Sequence, residues 1–274
     1  MSVVLITGCS SGIGRALADV FKTAGHEVWA TARKTADVDA LAAAGFKAVE
    51  LDVNDSAALE RLAGQLEENG KGLDVLINNA GYGGIGPLLD GGVQAMRRQF
   101  ETNVFSIVGV TRALFPLLRS NRGLVVNMGS VSGVLTTPFG GAYCASKAAV
   151  SAVSDALRME LAPFGMRVME VQPGAVDTQF AKNANHEAEQ VIHESSAWWP
   201  LREGIRARAN ASQTHPTPAS EVARDVFNAV QKATPPRLLR SGNGCRVLPL
   251  MALLLPKGLV ELILRKRFKI DQSL

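Results

Sequence analysis

The chain has 274 residues, with 29 Lys and Arg against 25 Asp and Glu, a net charge of +4, and 47% hydrophobic and 20% charged residues. These proportions exclude a disordered or fibrous chain, and so mild a charge, clustered only near the C-terminus, speaks against a nucleic-acid-binding surface. A chain of this length can bury a substantial core, and one α/β domain over residues 1–274 is the expectation.

Short β-branched runs alternate with helical periodicity from the start: a strand over 3–7, a helix over 15–24, a strand over 27–31 and a helix over 38–44. A strand over 47–51 follows, then a helix from Ser56, read as its N-cap, to residue 69, and a buried strand over 74–78 that ends in Asn-Asn-Ala-Gly. A long helix over 93–120 leads to a strand over 124–128, and another over 143–164 leads to a strand over 167–171. Strands alternating with helices imply right-handed crossovers and helices on both faces of a doubly wound parallel sheet, with a ligand crevice at the carboxyl ends of its strands. From 174 to 218 the periodicity fades into a segment containing Trp198 and Trp199, which reads as a mobile substrate lid. A helix over 220–232 and a last strand over 237–240 complete the sheet, before a helical tail over 245–274.

Cys9, Cys144 and Cys245 are odd in number and lack the paired spacing of a zinc site or disulfide framework, so no metal is expected and a reducing cytoplasmic setting fits. The first residues carry no basic stretch ahead of an apolar run, so no export signal is expected. The apolar stretch over 247–264 is broken by Pro249, Pro256, Lys257 and Glu261, which argues against a transmembrane helix.

The first strand runs into Thr7-Gly8-Cys9-Ser10-Ser11-Gly12-Ile13-Gly14 and a helix opens directly after it. Glycines allow a tight turn and close approach of backbone to a pyrophosphate, and a helix N-terminus offers free N–H groups and partial positive charge. A bare glycine pattern is a structural turn as often as not; its place between first strand and helix makes it a dinucleotide site. An acidic residue at the end of the second strand would accept hydrogen bonds from the ribose of NAD, but Ala32 and Arg33 stand there, and a guanidinium suits a 2′-phosphate. NADP(H) is therefore expected over NAD(H).

In Tyr143-Cys144-Ala145-Ser146-Lys147, Tyr143 and Lys147 lie four apart on one helix face. A phenol with a pKa of about 10 exchanges protons poorly at neutral pH unless a nearby cation favours the phenolate, the part given to Lys147. The pair alone is an ordinary surface coincidence; Ser130, in the turn after the strand over 124–128, gives it company at the ligand edge. Ser132 reads instead as a turn-forming serine. Asn103 is a polar residue in an apolar helix, either bonding backbone and bending that helix or holding an ordered water that links Lys147 to solvent.

Together, TGCSSGIG, LDV, NNAG, ETNVF, GSVSG, YCASK and VQPGAVDT resemble, in order and spacing over residues 3–178, the classical short-chain dehydrogenase/reductase family, and its hydroxysteroid and retinol dehydrogenases most. The resemblance implies a Rossmann fold and a catalytic tetrad of Asn103, Ser130, Tyr143 and Lys147, with Lys147 also on the nicotinamide ribose. It further implies that Ser11 joins Arg33 at the 2′-phosphate and that Asp52 and Val53 meet the adenine. Asn79 and Gly81 would line the cofactor cleft, and Pro173, Gly174, Val176 and Thr178 would hold the nicotinamide end. Family habit implies a homodimer or homotetramer.

Residues 82–87, residues 135–139, Trp198 and Trp199 are mostly apolar or aromatic, which suggests a lipophilic carbonyl substrate such as a steroid, retinoid or acyl chain, or simply lid packing. The tail over 248–269 mixes apolar residues with Arg265, Lys266, Arg267 and Lys269; it suits packing on protein somewhat better than peripheral contact with a membrane. A dinucleotide sensor without turnover, and an isomerase or dehydratase on the same fold, remain alternatives.

Overall fold

The computed structural model describes residues 1–271. Its first half runs β1 (Val3–Ile6), α1 (Gly12–Thr23), β2 (Glu27–Ala32), α2 (Thr35–Ala43), β3 (Lys47–Glu50), α3 (Ser56–Glu68) and β4 (Val75–Asn78). The second runs α4 (Leu88–Phe100), α5 (Ser106–Ala113), α6 (Phe115–Ser120), β5 (Leu124–Met128), α7 (Gly141–Leu161) and β6 (Arg167–Pro173). Beyond these lie β7 (Val176–Asp177), α8 (Phe180–Val191), α9 (Arg202–Ala209), β8 (Thr217–Pro218), α10 (Ala219–Val230), β9 (Leu238–Ser241), α11 (Val247–Leu254) and α12 (Lys257–Arg267).

Seven strands form one parallel sheet in the order β3-β2-β1-β4-β5-β6-β9, so the winding reverses between β1 and β4. Val4 is in register with both Val28 and Val75, and Val126 with Ile77 and Met169. β1, β4 and β5 are buried along their whole length, as strands covered by helices on both faces must be. At the β2–β3 edge Glu27 receives Lys47 at 2.7 Å and Lys71 at 2.6 Å, a charged cluster on the rim where unpaired backbone would otherwise invite another strand.

One face packs Leu17 and Phe21 of α1 against Ala223 and Val226 of α10; the other packs Leu59, Leu62 and Leu66 of α3 with Val110 of α5, Leu118 of α6 and Leu161 of α7. Burying each such leucine, valine or phenylalanine stabilises the fold by about 1.5–3 kcal/mol. Within the second layer a polar ladder crosses the sheet: Asn78 donates to Thr111 and to Asn127 at 2.9 Å, and Asn127 donates to Ser154 at 3.0 Å. It ties β4 and β5 to α5 and α7; Tyr143 lies on α7, Ser130 in the turn just after β5, and Asn103 in the turn just before α5.

The structure corrects three expectations. Asp55, not Ser56, caps α3, its carboxylate accepting from Ala57 N at 2.9 Å and Ala58 N at 3.2 Å, the stronger charge-assisted acceptor taking the cap. The single helix expected over 93–120 is three helices, interrupted by a π-helical turn at Glu101–Phe105 and by Pro116 at the start of α6. The lid contains α8 and α9 and is not an irregular segment. Its core is Ala184, Ala188, Leu201, Ile205 and Ala209 with Ile85 and Phe139, a stripe too alanine-rich to stand out as apolar periodicity. The tail is helical as expected, folding as α11 and α12; its last residues, 272–274, lie outside the described residues. Among the described residues no helix is long and apolar enough to cross a membrane.

Candidate active site

A cleft of about 410 Å³ opens at the carboxyl ends of the strands, over the reversal between β1 and β4. The turn after β1 forms its floor. Gly8 has φ +73°, and a Cβ there would lie 2.9 Å from Ala80 Cα; a Cβ on Gly14 would lie 2.2 Å from Gly8 O. Only glycine lets α1 start this close to the β4 loop. Asn79 fixes the turn by donating from Nδ2 to Thr7 O at 2.9 Å and Gly8 O at 3.0 Å, while Thr7 Oγ1 accepts from Asn79 N and Ala80 N. Ser11, the N-cap of α1, makes no side-chain cap, so the first N–H groups of that helix are left to the cleft. Cys9 sits within the turn but points into the core; burial pushes its thiol up to about 12 and makes it inert.

Gly8, Ser10, Ser11, Gly12, Ile13 and Gly14 line the cleft. Arg33 follows at the end of β2, exposed and without an ion-pair partner among the described residues. Asp52 and Val53 line the cleft after β3, and Asn79 and Gly81 after β4. Pro173, Gly174, Val176 and Thr178 close it from the side of β6 and β7.

Ser130, Tyr143 and Lys147 line the middle of the same cleft. Tyr143 is 8% exposed; burial raises its pKa, while a hydrogen bond with Ser130 and the charge of Arg208 pull the other way. Phe180 lies against it with ring centroids 5.3 Å apart. Lys147, one turn further along α7 and 7% exposed, donates to Met128 O at 2.6 Å. Burial lowers its pKa to about 8, with the carboxylate of Glu170 opposing. Glu170 is itself buried on β6, accepting from Ser151 at 2.7 Å and Gln172 at 2.9 Å. Ser130 Oγ also accepts from Ser132 N at 3.1 Å, so the turn-stabilising side chain expected at Ser132 is that of Ser130.

Asn103 stands one layer behind, off the cleft wall. The π-helical turn aims its amide at the β4 loop: Oδ1 accepts from Tyr82 N at 3.1 Å, and Nδ2 donates to Tyr82 O and Ser146 Oγ, both at 3.0 Å. π-helical turns of this kind gather at functional sites. A Cβ on Gly81 would lie 3.1 Å from Asn103 Oδ1 and 3.8 Å from Lys147 Nζ, so Gly81 is what separates the two side chains.

The far end of the cleft differs from expectation. Trp198 packs into the lid core and Trp199 carries Arg202 on its ring at 4.8 Å; neither lines the cleft. Of residues 82–87 only Tyr82 does, while Gly84 to Pro87 border a separate small crevice. Of residues 135–139, Leu135 and Thr137 do line it, and beside them stand Phe180, Arg208, Leu248 and Phe268, together with Leu264 and Arg267 of α12. One signal for Arg208 was present: it shares the stripe of Gly204, Ile205 and Ala209, the buried face of α9. Nothing local marked the residues of the tail.

The model of the short chain dehydrogenase family matches residues 2–189. A short-chain dehydrogenase/reductase of Pestalotiopsis microspora is 31% identical over 98% of this chain and 94% of its own length. The NADPH-dependent 1-acyldihydroxyacetone phosphate reductase of Schizosaccharomyces pombe is 36% identical over 76% of this chain and 71% of its own. The crystal structure of a short-chain dehydrogenase from Streptomyces avermitilis superimposes with a TM-score of 0.78 at 30% identity, covering 98% of this chain and 97% of that one. With the glycine turn at the sheet's reversal and Ser130, Tyr143 and Lys147 on one cleft, these matches place the chain in the short-chain dehydrogenase/reductase family of oxidoreductases.

Proposed function

We propose that the chain is an NADP(H)-dependent oxidoreductase that moves a hydride between nicotinamide and a lipophilic carbonyl or alcohol, with Tyr143 exchanging the proton. The observation that carries this reading is the buried Tyr143 phenol, sharing with Ser130 and Lys147 a cleft whose other end is a glycine turn and a helix N-terminus. The donor set fits a dinucleotide. Open N–H groups of α1 suit a pyrophosphate, Arg33 with Ser11 suits a ribose 2′-phosphate, and no acid stands at the end of β2 to prefer NAD. The similar enzyme of Schizosaccharomyces pombe is NADPH-dependent, which supports the preference.

When bound, the nicotinamide supplies or accepts the hydride. Burial keeps Tyr143 protonated, so its hydroxyl is the acid that protonates a carbonyl oxygen during reduction, and its phenolate is the base in the reverse direction. Ser130 hydrogen-bonds the same oxygen and stabilises the charge that develops there. Lys147, held by Met128 O, grips the nicotinamide ribose. Asn103 fixes the Tyr82 backbone and, close to Gly81 and Lys147, suits an ordered water that passes protons to solvent. Leu135, Phe180, Leu248 and Phe268 support a lipophilic substrate.

Tyr143→Phe tests the reading: carbonyl-dependent NADPH oxidation should fall by about 10²–10⁴-fold while NADPH affinity holds. Normal turnover in that variant removes Tyr143 from the chemistry.

A reducing, cytoplasmic setting belongs to this reading, supported by three buried free thiols, Cys9, Cys144 and Cys245. A homodimer or homotetramer is supported by exposed Val93, Phe105, Val108 and Met159; a monomeric mass in light scattering would refute it. Peripheral membrane contact is supported by outward Leu250, Leu253 and Leu254 of α11 and by the basic last turn of α12. Leu248, Leu264 and Phe268 of the same tail wall the cleft, so the tail also shapes the substrate end. Changing those three outward leucines to serine should abolish co-sedimentation with anionic liposomes, and equal pelleting of variant and wild type excludes the contact.

A further inference from the structure

The substrate end of the cleft holds a charge that the protein does not neutralise. Arg208, on α9, is 8% exposed and lines the cleft. Its Nε donates to Thr137 Oγ1 at 2.5 Å. Among the described residues its terminal Nη groups have no hydrogen-bond partner, and no carboxylate lies within ion-pair distance. Arg206, two positions back on the exposed face of the same helix, has both: it grips Glu189 through contacts of 2.7 and 3.1 Å. A guanidinium always carries its charge, and holding one largely out of water with no counter-ion is costly. The surroundings do not relieve it. Arg33, Lys147, Arg208 and Arg267 line the cleft, and among the described residues the only acidic one in its walls is Asp52, at the opposite end after β3.

An unpartnered fork of donors, buried and facing a cleft, is the arrangement that binds a carboxylate or phosphate bidentately. Its position sets where that group sits. Arg208 is close enough for its charge to act on Tyr143, and Thr137, which orients it, lies between the Ser130 turn and α7.

We propose that Arg208, oriented by Thr137, binds an anionic group of the carbonyl substrate, so that the substrate is an acidic ketone or aldehyde: a carboxylate or phosphate beside the reacting carbonyl, with an apolar remainder against Phe180, Leu248 and Leu264. This rests on the oxidoreductase reading above. It has a mechanistic consequence: an anion on Arg208 cancels the charge that would otherwise draw Tyr143 towards phenolate, and so preserves the phenol needed to protonate the carbonyl.

The test compares matched pairs: a medium-chain 2-oxo acid with its methyl ester, and a long-chain 1-hydroxy-2-ketone phosphate with its free alcohol. In wild type kcat/KM should favour the anionic member of one pair by about 10–100-fold, and the pair that discriminates identifies carboxylate or phosphate. In Arg208→Gln that ratio should fall to near one, and Arg208→Lys, which keeps the charge but not the fork, should restore part of it. A wild-type ratio near one in both pairs, or a ratio unchanged in Arg208→Gln, overturns the proposal. Calorimetric titration of the NADP-loaded protein with decanoate and with decyl phosphate reads the site without turnover. Binding that weakens at least about tenfold in Arg208→Gln sustains the anion site even if no ketone is reduced, in which case the oxidoreductase reading fails alone. Equal or absent binding in both proteins overturns the site.

Discussion

Replacing Lys147 by methionine should make the protein more stable and inactive at once. The side chain is 7% exposed, and burial moves its ammonium from an ordinary 10.5 to about 8. At about 1.36 kcal/mol for each pH unit, that displacement is a penalty of roughly 3 kcal/mol on the charged form at neutral pH. Methionine has a similar shape and no charge; against the gain stands the lost hydrogen bond to Met128 O, worth about 1.5 kcal/mol for a charged donor. The net is a stabilisation of about 1–2 kcal/mol, or about 2–4 °C in Tm for a chain of this size. The sign depends on pH. The folded lysine titrates near 8 and the unfolded one near 10.5, so between these values the unfolded chain binds more protons and wild-type stability rises with pH. The penalty is complete below the lower value and gone above the upper one. Scanning calorimetry at about pH 7 and about pH 10 should therefore show the advantage of the variant at the first and little at the second. A variant less stable than wild type at neutral pH, or a difference that does not change with pH, would falsify the account of Lys147 as a buried charge retained for function. Loss of turnover in the stabilised protein would mark the opposition between stability and activity expected at such a residue.

Two further outcomes test the cofactor end. Arg33→Asp replaces a phosphate contact by repulsion, and the ratio of kcat/KM for NADPH over NADH should fall by at least about 100-fold; an unchanged ratio removes Arg33 from the 2′-phosphate. Gly14→Ala places a Cβ 2.2 Å from Gly8 O and 2.4 Å from Asn79 Nδ2, so the turn must open and the Asn79 clamp break. NADPH should bind at least about 30-fold more weakly by fluorescence titration, and an unaltered Kd would contradict the cradle described for this turn.

What the chain reveals of itself follows the range of the interactions involved. The strand–helix alternation, the glycine turn and the Tyr143–Lys147 spacing are local patterns, and each is legible because one backbone requirement sits at one stretch of sequence. The break at Glu101–Phe105 is not, since a π-helical turn adds a residue without changing composition; only the buried Asn103 amide hints at it. The Asn78–Asn127 ladder and the pairing of Glu170 with Ser151 join residues far apart in sequence, so nothing beside either partner announces them. The substrate end is the least legible part. Trp198 and Trp199 draw attention by size but stabilise the lid, whereas the wall comes from the tail, through Leu248 and Phe268, and from an arginine in the stretch where periodicity fades. Arg208 becomes informative only once the fold shows which face of α9 is covered.

The measurement that bears most directly on the central claim is nicotinamide oxidation by the purified protein, with NADPH and with NADH, across ketones and aldehydes from short chains to steroids, retinal, acyl ketones, 2-oxo acids and long-chain ketone phosphates. The account predicts carbonyl-dependent loss of nicotinamide absorbance with NADPH preferred and with lipophilic substrates fastest. Tight NADPH binding with no turnover across the panel would contradict it and leave a dinucleotide-binding protein that does not reduce carbonyls.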